Sequence, residues 1–305
     1  MPSDARPGYM RTADGVRLRY AIFPRAFGSH RGTICLVQGR TEYIEKYFET
    51  IEDFRRRGFA VATFDWRGQG GSDRLIGNAR NGYVDTFDDY ATDLASFHQS
   101  VLLPDCPPPF HLVGHSMGGL VSLLAGAQDR MMFERIFLSA PMLALPGMGR
   151  RAPLWSAVAE TASFLGLGAA ALRRRADRAP AESGFVDNPL TGDRRRYLRM
   201  VETLATHPQL LIGSPTYRWI AAALKAMQGV ADPGFAARIK VPILILAAAR
   251  DIVVSTPAIE ELGLRMRMGR HLVIPTARHE LYMETDSIRA QVLAAFDAFV
   301  TDATT

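Results

Sequence analysis

Short apolar runs that alternate with longer helical stretches constrain the fold of this chain more than any other feature of its sequence. The runs have the length of buried β-strands and fall at residues 33–37, 60–64, 110–113, 136–138, 242–248 and 271–274. Strands that are apolar on both faces are typical of a parallel sheet covered by helices on each side. The alternation therefore predicts an α/β fold with a mostly parallel central sheet.

The segment before the first run predicts an antiparallel hairpin. Residues 8–25 contain two alternating stretches on either side of Asp14-Gly15, and Asp-Gly is a strong signal for a tight hairpin turn. Between and after the strands, apolar residues at helical spacing predict helices over 45–57, 85–102 and 286–300.

The strand pattern breaks between residues 142 and 236. This stretch is rich in Ala, Leu and Arg, contains no convincing strand and is too long for an ordinary loop. We therefore expect a helical insertion over 142–236 between the two parts of one α/β core, residues 1–141 and 237–305.

Composition narrows the functions that the chain can have. The 305 residues carry a formal net charge of +5, which suits contact with anionic surfaces such as lipid headgroups. No nucleic-acid-binding motif is apparent, and the arginine clusters at 173–175 and 194–196 fit solvated helix faces, so no nucleic-acid partner is expected. The two cysteines, Cys35 and Cys106, make no disulfide framework.

The sequence contains no signal for export or membrane insertion. Residues 1–15 lack the apolar core of a signal peptide, and no apolar run reaches the ~18 residues of a membrane span. We expect a cytoplasmic protein, with peripheral contact at the inner face of the membrane left open. No cofactor is indicated, and the oligomeric state stays undetermined.

The segment FHLVGHSMGGLVSLLAG, residues 110–126, contains the pattern G-x-S-x-G around Ser116. In such an elbow the serine occupies a strained turn between a strand and a helix, and its hydroxyl projects from the end of the sheet. The apolar stretches on both sides fit a buried strand and a buried helix. These five residues alone do not distinguish a nucleophile from a buried serine in a plain glycine turn.

Partners for a nucleophilic serine follow later in the chain, in the order serine, acid, histidine that this elbow requires. Asp251 ends the strand-like run ILILAAARD, and His279 follows the run HLVIPTARH. The ends of neighbouring parallel strands meet at one edge of a sheet, so Ser116, Asp251 and His279 are expected to converge. Asp65 also follows a strand, but it is expected to brace a loop together with Arg67.

Two backbone N–H groups are the candidate oxyanion donors. One belongs to Met117, directly after the serine, and the other to Arg40, in the loop QGRTE that follows the run 33–37. The sequence HELYM, which begins at His279, has Met283 where a zinc-binding H-E-x-x-H helix has its second histidine, so no metal site is expected.

Longer motifs make the chain resemble the α/β-hydrolase superfamily, and within it the branch of bacterial lysophospholipases and monoacylglycerol lipases. These motifs are QGRTEYIEKY at 38–47, FDWRGQGGSDR at 64–74, GHSMGG at 114–119, AARDIVVS at 248–255, RHELYME at 278–284 and NPLTGDRRRYLR at 188–199. The resemblance implies hydrolysis of the acyl ester of a monoacyl lipid, a lysophospholipid or a monoacylglycerol, through an acyl-enzyme intermediate. Many members carry His-Gly where this chain has Gln38-Gly39.

The resemblance also implies that the insertion 142–236 is a cap over an acyl pocket. Candidate lining residues are Leu143, Tyr217 and Trp219, followed by Leu145, Trp155, Phe164 and Leu165, although each also fits the core of the cap itself. Two alternatives stay open: a proline-type serine aminopeptidase and a non-catalytic binding protein. Against the first, residues 38–42 lack the His-Gly-Gly-Pro-Gly loop usual in such peptidases, and against the second, the triad is complete.

Overall fold

One sheet forms the centre of the molecule in the computed structural model, which describes residues 3–128, 132–148, 151–172, 184–186 and 188–301. Its strands are β1 (Arg6–Arg11), β2 (Arg17–Phe23), β3 (Thr33–Val37), β4 (Ala60–Phe64), β5 (Phe110–His115), β6 (Arg135–Ser139), β7 (Ile243–Ala248) and β8 (Gly269–Ile274). Within the described residues their spatial order is β1-β2-β4-β3-β5-β6-β7-β8. The strands β3 to β8 are parallel, and β1 and β2 are antiparallel, so the predicted fold class is confirmed.

Helices cover both faces of this sheet. They are α1 (Phe48–Arg56), α2 (Phe87–Phe97), α3 (Leu103–Asp105), α4 (Met117–Gln128), α5 (Ala152–Ala162), α6 (Arg194–Thr206), α7 (Tyr217–Ala231), α8 (Phe235–Arg238), α9 (Thr256–Arg265) and α10 (Asp286–Thr301). Side chains of α2, α4 and α7 pack in one apolar cluster, and those of α1 and α10 pack in a second cluster. Alternate residues of a strand point to opposite faces, so Leu112 joins the first cluster and Val113 the second.

Several predicted elements agree with the structure at their boundaries. The Asp14-Gly15 hairpin joins β1 and β2, and the final helix is α10. The helix predicted over 85–102 is α2, which starts at a capping box between Thr86 and Asp89 and passes into a π-helical turn at His98–Leu102. A 3-10 turn at Ile44–Tyr47 precedes α1.

The part of 142–236 that the structure describes contains α5, α6, α7 and α8, and none of its described residues belongs to a strand of the sheet. This content agrees with a helical insertion, while the division into 1–141, 142–236 and 237–305 stays a prediction. The arginine cluster 173–175 lies outside the described residues.

Helix α4 packs so closely against the β3 end that it requires glycine. A Cβ at Gly118 would lie 2.5 Å from the carbonyl oxygen of Gln38 and 2.7 Å from that of Val37. Both neighbours are backbone atoms of a buried strand end, which cannot move aside without shifting the strand. Gly118 therefore sets the distance between this helix and the loop that follows β3.

We predict that Gly118→Ala lowers the free energy of unfolding by about 1–3 kcal/mol, because the new methyl group overpacks a rigid contact. Gly229→Ala in α7 is the matched control: a Cβ there meets nothing within 4 Å. This control should raise stability by about 0.5–1 kcal/mol through helix propensity. Urea unfolding midpoints measure both, and equal effects would contradict the packing argument.

Candidate active site

Ser116 lies in a strained turn directly after β5. Its φ of +51° is in the left-handed region, which costs a residue with a side chain energy. Hydrogen bonds hold this turn on both sides: the N–H of Ser116 donates to Ser139 at 3.0 Å, and its carbonyl oxygen accepts from Met142 at 2.9 Å. This is the geometry of the nucleophile elbow that the sequence predicts.

A chain of hydrogen bonds links Ser116 to the two predicted partners. Nε2 of His279 lies 3.0 Å from Oγ of Ser116, and Nδ1 of His279 lies 2.7 Å from Oδ2 of Asp251. Oδ1 of Asp251 accepts from the N–H groups of Val253 at 2.8 Å and Val254 at 3.0 Å. These contacts bring together the three residues that the sequence predicts as a catalytic triad.

The charge of Asp251 suits its place beside the imidazole. Burial opposes its ionisation, but the hydrogen bond from His279 and the two backbone donors outweigh burial and lower its pKa. The carboxylate is therefore ionised at neutral pH, where it favours a proton on Nδ1 and leaves Nε2 of His279 to accept a proton from the serine.

The loop after β3 lies directly against the serine. A Cβ at Gly39 would lie 3.1 Å from Cβ of Ser116, so a side chain there would press on the nucleophile. Thr41 has a φ of +66°, and its N–H donates to Oε1 of Gln69 at 2.7 Å. Arg40 lies between these two positions, and Met117 is the first residue of α4. Their N–H groups as oxyanion donors stay a proposal, which this placement supports.

The side chain of Gln38 is directed toward β4. Its side chain is fully buried, and its Nε2 donates to the hydroxyl of Thr63 on β4 at 3.1 Å. Its carbonyl oxygen accepts from Nε1 of Trp66 at 2.8 Å. The glutamine therefore packs beneath the loop rather than beside a substrate.

The three candidate lining residues differ in their surroundings. Leu143 is buried and lines an apolar cavity of about 420 Å³. Trp219 is also buried, and its Nε1 donates to the hydroxyl of Tyr90 at 3.3 Å. The centroid of its ring lies 5.1 Å from Cζ of Arg40. Tyr217 is half-buried at the start of α7. Their contact with a substrate stays a proposal.

Three other candidates from the stretch 142–236 are exposed and do not line an enclosed tunnel in this structure. Phe164 is 90% exposed and Leu165 is 68% exposed, on a π-helical turn that continues α5. Trp155 on α5 is also exposed. The resemblance made these residues candidates for an acyl pocket, with the core of the insertion as the alternative, but they lie at the surface.

Residues 188–192 hold the loop of His279, a role that no sequence pattern indicated. The carboxylate of Glu284 accepts from the N–H groups of Arg278 at 2.8 Å and Gly192 at 2.9 Å. The guanidinium of Arg278 donates to the carbonyl oxygens of Asn188 at 2.8 Å and Thr191 at 3.1 Å. The motifs NPLTGDRRRYLR and RHELYME therefore form one structural unit around the histidine.

His115, the variable position of the elbow, is buried beside the triad and does not contact the serine hydroxyl. Its Nδ1 lies 3.0 Å from the carbonyl oxygen of Ser139, and its ring centroid lies 4.9 Å from that of His279. Burial is the largest cause of the shift and lowers the pKa of His115 to about 4. Glu42 opposes the shift but does not offset burial, and Lys46 lowers the pKa further. His115 is therefore neutral in the folded protein at neutral pH.

Asp65 has the bracing role that the sequence predicts for it. Its buried carboxylate accepts from the N–H groups of Ile44 at 3.0 Å and Gly71 at 2.7 Å and pairs with Arg19. Arg67 braces the same region through a separate buried pair with Asp93. His279 contacts Asp251, the carboxylate that the order of the predicted residues favours, rather than Asp65.

Comparison with known proteins gives one family match and several relatives along most of the chain. The family model described as Hydrolase_4: Serine aminopeptidase, S33 matches residues 28–286. Lysophospholipase L2 of Escherichia coli (strain K12) is 33% identical over 298 residues, which cover 94% of this chain and 84% of that protein. Probable lysophospholipase L2 of Haemophilus influenzae is 29% identical, over 96% of this chain and 91% of that protein.

Solved structures agree on the fold. A soluble variant of monoglyceride lipase from Saccharomyces cerevisiae, in complex with a substrate analog, superposes with a TM-score of 0.78 at 19% identity, over 100% of this chain and 97% of that chain. Monoacylglycerol lipase of Paleococcus ferrophilus has a TM-score of 0.72 at 21% identity, over 93% of this chain and 98% of that chain.

The described part of the chain holds neither a helix suited to span a membrane nor a cluster of metal-ligand side chains. None of its helices combines the length and the apolar character needed to cross a membrane. Its His, Cys, Asp and Glu side chains also form no group of three that could hold a metal ion.

We predict that His115→Asn makes the protein less sensitive to acid. Between its ordinary pKa of 6.5 and about 4, the unfolded chain binds a proton at His115 that the folded chain does not bind. Stability is therefore lost as the pH falls through this window, by up to about 3 kcal/mol for a shift of this size. In the variant, the loss of unfolding free energy between pH 7 and 4 should be smaller by about 2 kcal/mol.

Chemical denaturation at several pH values measures this slope. His207→Asn, at an exposed position after α6, is the control for the loss of one histidine and should keep the slope of the parent protein. A His115→Asn slope equal to that of the parent would show that His115 is protonated in the folded state as readily as in the unfolded chain.

Proposed function

We propose that this chain, which belongs to the Hydrolase_4 family, is a serine hydrolase that cleaves the acyl ester of a monoacyl lipid. The observation that carries the proposal is the hydrogen-bonded chain from Ser116 through His279 to Asp251 at the carboxyl edge of the sheet. Escherichia coli lysophospholipase L2, a relative over most of the chain, supports a lysophospholipid as substrate. The fold shared with monoglyceride lipases is compatible with a monoacylglycerol.

The mechanism begins with proton transfer from Ser116 to Nε2 of His279 as Oγ attacks the ester carbonyl carbon. The carbonyl electron pair moves to its oxygen, where the N–H groups of Arg40 and Met117 donate hydrogen bonds. The ester C–O bond then breaks, and the leaving alcohol takes the proton from His279. Water attacks the acyl-enzyme by the same route, and Asp251 keeps the imidazole in the productive tautomer throughout.

An apolar cavity lined by the segment after β6 suits an acyl chain. The N–H of Met142 bonds to the carbonyl oxygen of Ser116, and the next residue, Leu143, lines this cavity. Its volume of about 420 Å³ is in the range of small-molecule sites. Apart from Gln228, its walls are apolar: Leu143, Ala144, Leu145, Met148, Ala152, Pro153, Leu224, Met227 and Ala231.

Contact with a membrane surface is part of this proposal. The exposed apolar patch is defined here as Leu154 on α5 and Phe164 and Leu165 on the turn after it, residues that are 65%, 90% and 68% exposed. Ala152 and Pro153, at the start of the same helix, line the apolar cavity. Exposed apolar side chains on a helical segment can insert into the headgroup region of a bilayer, where a monoacyl lipid resides.

A proline-type serine aminopeptidase is the second candidate, because the matched family model carries the description serine aminopeptidase. The triad chemistry would also serve an amide bond. The loop Gln38-Gly39-Arg40-Thr41-Glu42 does not have the sequence usual in such peptidases, and the cavity near Leu143 offers an apolar chain more contacts than a charged amino terminus.

We predict that a fluorophosphonate probe labels the parent protein and that Ser116→Ala abolishes the labelling. The substitution removes the nucleophile, so kcat should fall by at least about 10⁴-fold. Ser122→Ala on α4, whose buried hydroxyl donates to the carbonyl oxygen of Gly118, is the matched control and should be labelled. Labelling that persists in Ser116→Ala would refute the assignment of the nucleophile.

A panel of substrates tests the class of bond that is cleaved. It contains lysophosphatidylcholine, lysophosphatidylethanolamine, monoacylglycerols, short nitrophenyl esters and proline naphthylamide. We expect hydrolysis of the monoacyl lipids. Turnover of the naphthylamide alone would establish the aminopeptidase, and a native protein without labelling or turnover would establish a binding protein.

We predict that the double substitution Phe164→Ser and Leu165→Ser weakens binding to vesicles of phosphatidylglycerol and phosphatidylcholine by about tenfold or more, because it removes apolar area that inserts into the bilayer. Phe27→Ser is the matched control. Phe27 is 63% exposed and follows β2, whose carboxyl end lies at the sheet edge opposite Ser116. Equal losses in a vesicle flotation assay would refute the patch as the contact surface.

A further inference from the structure

Three charged side chains are buried side by side behind the proposed active site. Glu42, Lys46 and Glu280 are 4%, 8% and 5% exposed. Nζ of Lys46 lies 2.8 Å from Oε1 of Glu42 and 2.6 Å from Oε1 of Glu280. Burying three charges costs more than burying apolar side chains of the same size, so stability alone is a weak reason for this arrangement.

The Glu42 end of the cluster holds the loop that presents Arg40. Oε2 of Glu42 accepts from the N–H of Gly39 and from the hydroxyl of Tyr47 at 2.7 Å. Burial opposes the ionisation of Glu42, but the charge of Lys46 and the hydrogen bonds from Lys46 and Tyr47 hold its pKa below the usual range. The acceptor of the Gly39 N–H is therefore a carboxylate, and such charge-assisted hydrogen bonds are stronger than neutral ones.

Arg40 is consequently fixed from both sides. The N–H before it, of Gly39, donates to Glu42, and the N–H after it, of Thr41, donates to Gln69. With both neighbouring peptide groups held by side chains, the direction of the N–H of Arg40 is set by the rest of the loop.

The Glu280 end of the cluster belongs to the loop of His279, its neighbour in sequence. The backbone of Glu280 is held by the carbonyl oxygen of Leu190, which accepts from its N–H at 2.8 Å, and by the N–H of Met283 at 2.7 Å. In the described part of the chain, Oε2 of Glu280 is buried without a hydrogen-bond partner, so Lys46 supplies the hydrogen bond to this carboxylate.

We propose that Glu42, Lys46 and Glu280 form a buried link that positions the oxyanion loop relative to the loop of His279. Lys46 is the common partner of both carboxylates, and it lies on the short 3-10 turn at Ile44–Tyr47, which is anchored to Asp65. The link acts through the backbone of Arg40 and His279, so its members are positioning residues. Their catalytic consequence rests on the proposed function.

The first test replaces Glu42 by Gln, which keeps the shape of the side chain and leaves a balanced pair of Lys46 and Glu280. The weaker acceptor should let the Gly39–Thr41 backbone drift, which should lower kcat by about 10- to 100-fold. KM should change by less than about threefold, because the loop stabilises the transition state rather than the bound ester. Glu42→Ala, which has no acceptor, should lower kcat further.

Asp93→Asn is the matched control, since it weakens another buried ion pair, that of Arg67. It should lower the denaturation midpoint and leave both kcat and KM of the folded enzyme unchanged. A Glu42→Gln enzyme with unchanged kcat, or with a loss confined to KM, would overturn the positioning role.

The second test asks whether Lys46 links the two loops, and it does not depend on activity. Lys46→Met should speed backbone hydrogen exchange in both loops, residues 38–42 and 278–284, whereas Glu280→Gln should affect mainly the second. Because Lys46→Met leaves two buried carboxylates, the neutral triple variant Glu42→Gln, Lys46→Met, Glu280→Gln is measured beside it and should show the same two-loop effect.

The link would be overturned if Lys46→Met and the triple variant sped hydrogen exchange in neither loop or in only one of them. A parent protein that no fluorophosphonate labels would refute the proposed function and leave the exchange result to decide the link. A labelled parent with unchanged exchange would refute the link alone.

Discussion

Parallel pairing of β3, β5, β6, β7 and β8 is the constraint on which the rest of the structure depends. Val37 pairs with Gly114, His115 with Ser139, and Ala248 with Ile274, so the strands end at one edge of the sheet. The residues that follow these strand ends come from distant parts of the chain. They lie close together because the strand ends themselves are adjacent. The strained φ of Ser116 is tolerated there because hydrogen bonds from β6 and the segment after it fix the turn.

Sequence pattern was sufficient for the sheet and the triad because both follow from local signals. Apolar runs mark the strands, and parallel strands bring whatever follows them to one edge, so Ser116, Asp251 and His279 could be placed without any knowledge of side-chain contacts. The order of the three residues then separated Asp251 from Asp65, which also follows a strand.

Contacts between side chains far apart in sequence could not be predicted in the same way. Glu42 and Glu280 are separated by most of the chain, and no periodicity relates them; their common partner, Lys46, becomes visible only in three dimensions. The exposure of Phe164 and Leu165 could not be predicted for a related reason. Apolar spacing shows that Phe164 and Leu165 share a helical segment, but which face meets the core depends on tertiary packing.

Helix α6, within the stretch 142–236, is tied to the core by buried charged contacts. Arg196 is buried and bonds to carboxylates of Glu49 on α1 and Asp286 on α10 and to the carbonyl oxygen of Glu284. The segment just before it bonds to the loop of His279. A movement of α6 away from the core would break several charge-assisted bonds and release the loop of His279. The contacts of Arg196 therefore fix this part of the stretch 142–236 relative to the proposed active site.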